Sequence, residues 1–162
     1  EFARRVLARP GSVKYGRLAV IAALTCSRRE LAFPGRIPPE AFSPPPRVDS
    51  SVVSLVPKQE GLIYRSEIVP LDMLDHLLRL LLDTARGQAR GLGLEAALEA
   101  HAGELGLPAG WREGLRKSSV VGLASRPPVT IEPEEFLALA AELQQLGGLA
   151  RKNSLEVEQH VS

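Results

Sequence analysis

Residues Phe42-Ser43-Pro44-Pro45-Pro46-Arg47-Val48-Asp49-Ser50-Ser51-Val52-Val53 set one aromatic ring on a proline stretch that enters a β-branched run. The prolines fix φ, remove backbone donors and hold the residues before them extended. Phe42 could therefore present a ring face at a fixed height above a strand end, where open α/β sheets bind ligands. It could equally plug the edge of a core. The second chemical feature is basic. Arg4, Arg5, Arg9, Lys14 and Arg17 gather at the start of the chain, where they could contact phosphates or simply stand in water. Trp111, the single tryptophan, could stack on a base or anchor a core poor in large apolar groups. His76, His101 and His160 have no ligand-like spacing, and no metal site is expected.

The elements that must position these groups follow from the hydrophobic pattern. Residues 1–9 read as the end of a helix stopped by Pro10-Gly11-Ser12, and Leu18, Ile21, Ala22 and Thr25 share a face of a helix over 15–26. Arg29 to Pro34 and Ser50 to Pro57 read as strands that can pair antiparallel. Leu71, Leu74, Leu77, Leu78, Leu81 and Leu82 mark an amphipathic helix, with Asp72, Asp75 and Asp83 spaced to pair with Arg79 and Arg86 along its surface. Helices over about 93–105, about 109–117 and 133–147 follow, the last closed by Gly147-Gly148. The expected domains are 1–58, a linker over 59–70, a helical unit over 71–150, and a flexible tail over 151–162.

At 162 residues and 44% hydrophobic, the chain can build one domain, or one small domain with an attached piece. Its net charge of +1 hides an asymmetry: residues 1–66 hold eleven Lys/Arg against five Asp/Glu (+6), and residues 67–162 hold nine against fourteen (−5). The basic third is the part that would meet nucleic acid. No apolar run reaches the roughly 20 residues a membrane helix needs, and Cys26 alone can form no internal disulfide. A reducing cytoplasm is the expected setting.

Three blocks in order complete the reading: Glu1-Phe2-Ala3-Arg4-Arg5, Tyr15-Gly16-Arg17-Leu18-Ala19-Val20, and the Phe42 segment with Pro44, Pro46, Val48, Asp49, Ser50, Val52 and Val53. Together they resemble the middle of the rRNA adenine N6,N6-dimethyltransferases, relatives of the Erm resistance methylases, in which E-x-A-x-R and Y-G-R-L-S-V helices precede F-x-P-x-P-x-V-D-S-A-V-V. The resemblance is strong over residues 1–57 and looser beyond. Arg126-Pro127-Pro128-Val129-Thr130-Ile131-Glu132-Pro133-Glu134-Glu135-Phe136 fits the family's closing R-P-x-x-L-T-x-E-E-F. The arginine-rich helix fits less well: Arg86 and Arg90 remain, but Gly87, Gly91 and Gly93 each cost a helix about 1 kcal/mol.

The resemblance implies an α/β remnant, the last helices and strands of a Rossmann-like methyltransferase sheet, followed by a small all-α domain that docks rRNA. It implies an S-adenosylmethionine-dependent enzyme of ribosome biogenesis that dimethylates N6 of adenines in small-subunit rRNA. Phe42 would stack on the flipped target base, and Arg4, Arg5, Arg9, Lys14, Arg17, Arg47, Arg86, Arg90, Arg112 and Arg116 would contact RNA. The family's Gly-rich cofactor loop, acidic strand end and Asn-x-Pro-aromatic motif do not occur in these residues. The chain, opening on Glu1, therefore reads as a carboxy-terminal portion that binds no cofactor, is inactive alone, and self-associates through an exposed sheet edge. The alternative is a non-catalytic RNA-binding ribosome-assembly factor derived from the same fold.

Overall fold

Helix α2 (Arg17–Thr25) runs without a loop into strand β1 (Cys26–Leu31). The computed structural model describes residues 1–32, 36–58, 69–83 and 91–149. The Thr25 hydroxyl donates to Ile21 O at 2.8 Å, closing the last turn, and Cys26 is already extended. This strand starts three residues before the expected Arg29. Its Ser-Arg-Arg-Glu stretch lacks the apolar alternation that marks a half-buried strand, and Pro34 lies outside the described residues. β1 pairs antiparallel with β2 (Val53–Pro57), in a register that sets Arg29 opposite Leu55 and Leu31 opposite Val53. Ser50, expected to start the second strand, instead forms an isolated bridge with Ile37.

A short helix α1 (Phe2–Val6) precedes α2, and Arg29 ties both to the strand. Its guanidinium donates to Val6 O at 2.8 Å, one of the carbonyls at the end of α1 that lack an intrahelical donor, and to Ala19 O at 3.1 Å near the start of α2. On the other side lie α3 (Leu71–Leu78), which continues through a π-helical turn over Arg79–Asp83, then α4 (Leu94–Ala100), α5 (Trp111–Lys117) and α6 (Pro133–Gln145). α6 closes as a Schellman motif: the Gly148 N–H donates to Leu143 O and the Gly147 N–H to Gln144 O, with Gly147 at φ 86°. α5 packs close to the end of α6, where a Cβ on Gly114 would collide with the Leu146 side chain.

The core is continuous across the expected linker. Ala19, Val20 and Leu24 of α2 share one buried cluster with Leu74, Leu77 and Leu78 of α3 and with Phe136, Leu139 and Leu143 of α6. Trp111 belongs to it, so its ring anchors the core. Of the expected linker, only Val69, which is buried, and Pro70 are described; the tail over 151–162 lies outside the described residues.

Tyr15 joins the two ends of this core. Its hydroxyl donates to Ile131 O at 2.7 Å, just before α6. Burial, reinforced by Glu132 and Glu134, pushes its pKa far up, so it remains a protonated donor at any working pH. Tyr15→Phe is expected to lower stability by about 1–3 kcal/mol, because it leaves the Ile131 carbonyl without its partner. Urea unfolding would measure this, and an unchanged midpoint would mean that water reaches the carbonyl.

At the start of α6, Arg126 donates to Glu135 Oε1 at 2.7 Å and to Thr130 O at 2.6 Å, and the Glu132 N–H donates to Glu135 Oε2 at 2.8 Å. Burial pushes the Glu135 carboxyl up, but these bonds outweigh it and hold the pKa below the ordinary value. A depressed folded-state pKa contributes stability that is present above the unfolded value and lost as pH falls through the folded one. The α6 entry is therefore expected to weaken only in acid.

Candidate nucleic-acid interface

Phe42 sits on a loop whose neck is closed twice. Ile37 and Ser50 exchange both backbone hydrogen bonds at 2.9 Å, and Arg36 pairs with Asp49 at 3.0 Å. Inside the neck, a 3-10 turn over Pro39–Ala41 ends with the Phe42 N–H on Pro39 O, and the Ser43–Pro44 peptide is cis. Phe42 is 41% exposed and lies outside the buried cluster, so it is no plug of the core seen here. Arg47 and Val48 are exposed on the same loop.

The basic residues divide into two sets. Arg4, Arg5, Arg9 and Arg47 form no ion pair with any described carboxylate. Arg4, Lys14 and Arg36 line one cleft of about 560 Å³ together with Ala3, Leu7 and Leu31. Lys14 also pairs with Glu1 at 3.0 Å, an exposed contact that holds the Glu1 carboxyl below its ordinary pKa. Arg9 lines a separate, polar cleft of about 390 Å³ with Tyr15, Arg29 and Glu132. Arg36 is a basic residue that the sequence reading passed over. It lies in no periodic segment, and closure of the Phe42 loop brings it to the cleft that Arg4 lines.

The second set is engaged within the chain. One Arg17 guanidinium nitrogen donates to both Asp75 oxygens at 2.9 Å, and Nε lies 3.0 Å from Asp83 Oδ2. Asp75 and Asp83 were expected to pair along their own helix with Arg79 and Arg86. The π-helical turn carries Asp83 to Arg17 and Arg79 donates to His76 Nδ1 at 3.2 Å, while the expected pairing with Arg86 lies outside the described residues. Arg112 lies over the Trp111 ring at 5.5 Å and pairs with Glu99 at 3.0 Å and Glu95 at 3.4 Å, and Arg116 reaches the same Glu95 at 3.3 Å. Phosphates at α5 would compete with those carboxylates. Arg86 and Arg90 lie outside the described residues.

S-adenosylmethionine needs backbone N–H groups in a glycine turn between a strand and a helix, with an acid for its ribose. Among the described residues neither strand leads through such a turn into an α-helix and no acidic side chain is buried, so these residues do not fit that cofactor. Among the same residues no three His, Cys, Asp or Glu side chains gather as metal ligands, and no helix is long and apolar enough to cross a membrane.

Comparison with known proteins gives these residues a family. The family described as ribosomal RNA adenine dimethylase matches residues 1–87. Ribosomal RNA small subunit methyltransferase A of Alcanivorax borkumensis is 39% identical over 138 residues, covering 82% of this chain and 46% of the relative. The protein of the same name from a Chelativorans species is 36% identical over 143 residues, covering 88% and 44%. In fold, the chain is similar to the crystal structure of a dimethyladenosine transferase from Plasmodium falciparum, with a TM-score of 0.68 at 23% identity over 91% of this chain and 56% of that one. The chain spans about half the length of the curated relatives it matches. With half or more of its residues matched, the chain belongs to the ribosomal RNA adenine dimethylase family.

Proposed function

We propose that this chain is the target-base wall and RNA-docking portion of an S-adenosylmethionine-dependent enzyme that dimethylates N6 of adenines in small-subunit rRNA. The observation that carries the reading is the exposed Phe42 ring on its twice-closed loop, inside the segment that matches the family. An adenine buried in RNA structure must be extruded at a cost of a few kcal/mol, and an aromatic face returns about 1–3 kcal/mol of it by stacking. A rigid loop holds that face without an ordering cost at the moment of binding. The residues through 58 act as the end of a Rossmann-like sheet, and the helices from Leu71 to residue 150 dock the rRNA by shape and phosphate contacts.

The phosphate set is revised by the ion pairs. Arg4, Arg5, Arg9 and Arg47 meet RNA, Lys14 does so on leaving Glu1, and Arg17, Arg112 and Arg116 act mainly within the protein. The test is the salt dependence of binding to a structured small-subunit rRNA fragment. Each phosphate contact contributes about 0.7–0.9 to the slope of log K against log salt, so reversing Arg4, Arg5 and Arg9 to Glu should flatten the slope by about 2–3 and weaken binding at every salt concentration. An unchanged slope would move the contact surface to the helical unit.

Two further outcomes follow for the chain by itself. Calorimetry with S-adenosylmethionine is expected to show no stoichiometric uptake at micromolar affinity; uptake would mean that residues within this chain form a cradle. The chain is also expected to self-associate, because Leu31, Val52, Leu55 and Val56 are exposed and, among the described residues, each strand of the two-stranded sheet has an unpaired edge. Light scattering showing a monodisperse monomer at high micromolar concentration would contradict this.

A further inference from the structure

α2 buries mainly short side chains, Ala19, Val20 and Ala22 with Leu24, which interdigitate less deeply with their neighbours than long ones, and hydrophobic attraction itself has no direction. A forked guanidinium does have direction. Arg17 opens α2, and its nitrogens engage Asp75 on α3 and Asp83 at the end of the π-helical turn.

The π-helical turn explains how one guanidinium reaches both acids. In a regular α-helix eight residues turn through about 800°, which leaves the second acid about 80° round the axis from the first. Inserting one residue makes the pair equivalent to i and i+7, which differ by only about 20°. The five residues Arg79–Asp83 supply that insertion, although a π-helical turn is less favourable than α-helix. The Asp83 carboxylate also lies beside Gly16 at the amino terminus of α2, whose dipole favours negative charge.

We infer that Arg17 is a positioning residue: forked onto Asp75 and Asp83, it fixes the rotation of the α2–β1 piece, and hence of the Phe42 loop, against the helical unit. Its relevance to methylation rests on the reading of Phe42 as the target wall. Because α2 passes straight into β1 and Arg29 fastens β1 to the carbonyls of Val6 and Ala19, rotation at α2 is carried to the loop.

The test is a distance distribution between spin labels, in a Cys26→Ser background, at Val48→Cys on the loop and Ala138→Cys on α6, both exposed positions. The parent should give one narrow distance. Arg17→Met should at least double its width while circular dichroism stays native, Arg17→Lys should fall between, and Arg17→Asp combined with Asp75→Arg should narrow it again. A pair that merely adds stability would lower the melting temperature and leave the width unchanged below it, and that result would overturn the inference. Should Arg17→Met fail to fold, Asp75→Asn and Asp83→Asn each retain one carboxylate and decide the matter by the same width. The labels are read without RNA, so a chain that binds no rRNA counts against the functional reading alone.

Discussion

Phe42→Ala in the complete enzyme is expected to reduce the methylation rate ten- to more than a hundredfold, about 1–3 kcal/mol of transition-state stabilisation, with little change in fold. The loop does not depend on the ring for its shape: the Ile37–Ser50 bridge, the Arg36–Asp49 pair and the 3-10 turn all close without it. The ring is exposed, so its removal opens no cavity in the core described here. Phe42→Tyr and Phe42→Trp keep an aromatic face and should retain more activity. Single-turnover rates beside a thermal melt separate the two roles. If Phe42 served only packing, alanine would cost about 3–5 kcal/mol of stability and activity would return under stabilising conditions.

What could be read in the sequence was encoded locally. The Phe42 segment was legible because prolines write their geometry into the residues beside them, and the leucine spacing from Leu71 announced its helix, with Met73, Leu74, Leu77 and Leu78 buried as that period requires. β1 was misplaced because a strand of Ser27, Arg28, Arg29 and Glu30 shows no alternation. Most of its side chains are exposed, and Arg29 reaches the helices through its guanidinium, which no apolar pattern announces. That Asp75 and Asp83 both meet Arg17 was missed for a different reason. Helical spacing assumes 3.6 residues per turn, and no residue type announces a π-helical turn. Arg112 and Arg116 looked free because Glu95 and Glu99 lie on another helix, which only tertiary packing brings within 3.0–3.4 Å. Charges could be counted from the sequence, but which of them were already paired could not.

Phe136→Ala is expected to destabilise the whole described core by about 3–5 kcal/mol, a large share of the 5–15 kcal/mol that holds a typical small domain. Phe136 is fully buried near the start of α6, in one cluster with Tyr15, Val20 and Leu24 from the first part of the chain and with Leu74, Leu77 and Trp111 from the second. A cavity there removes contacts that α2 and α3 both depend on. The loss should therefore appear together in two probes under urea: the fluorescence of Trp111, which reports the helical side, and hydrogen exchange at the α2 amides, which reports the other. A helical unit from Leu71 that folds by itself would behave differently, with the Trp111 transition moving to lower urea while α2 exchange followed an unshifted course. Coincident shifts would make the portion bearing Phe42 and the helical portion one cooperative body. RNA docked on the helices would then hold the Phe42 loop in place through packed side chains, with no flexible hinge between them.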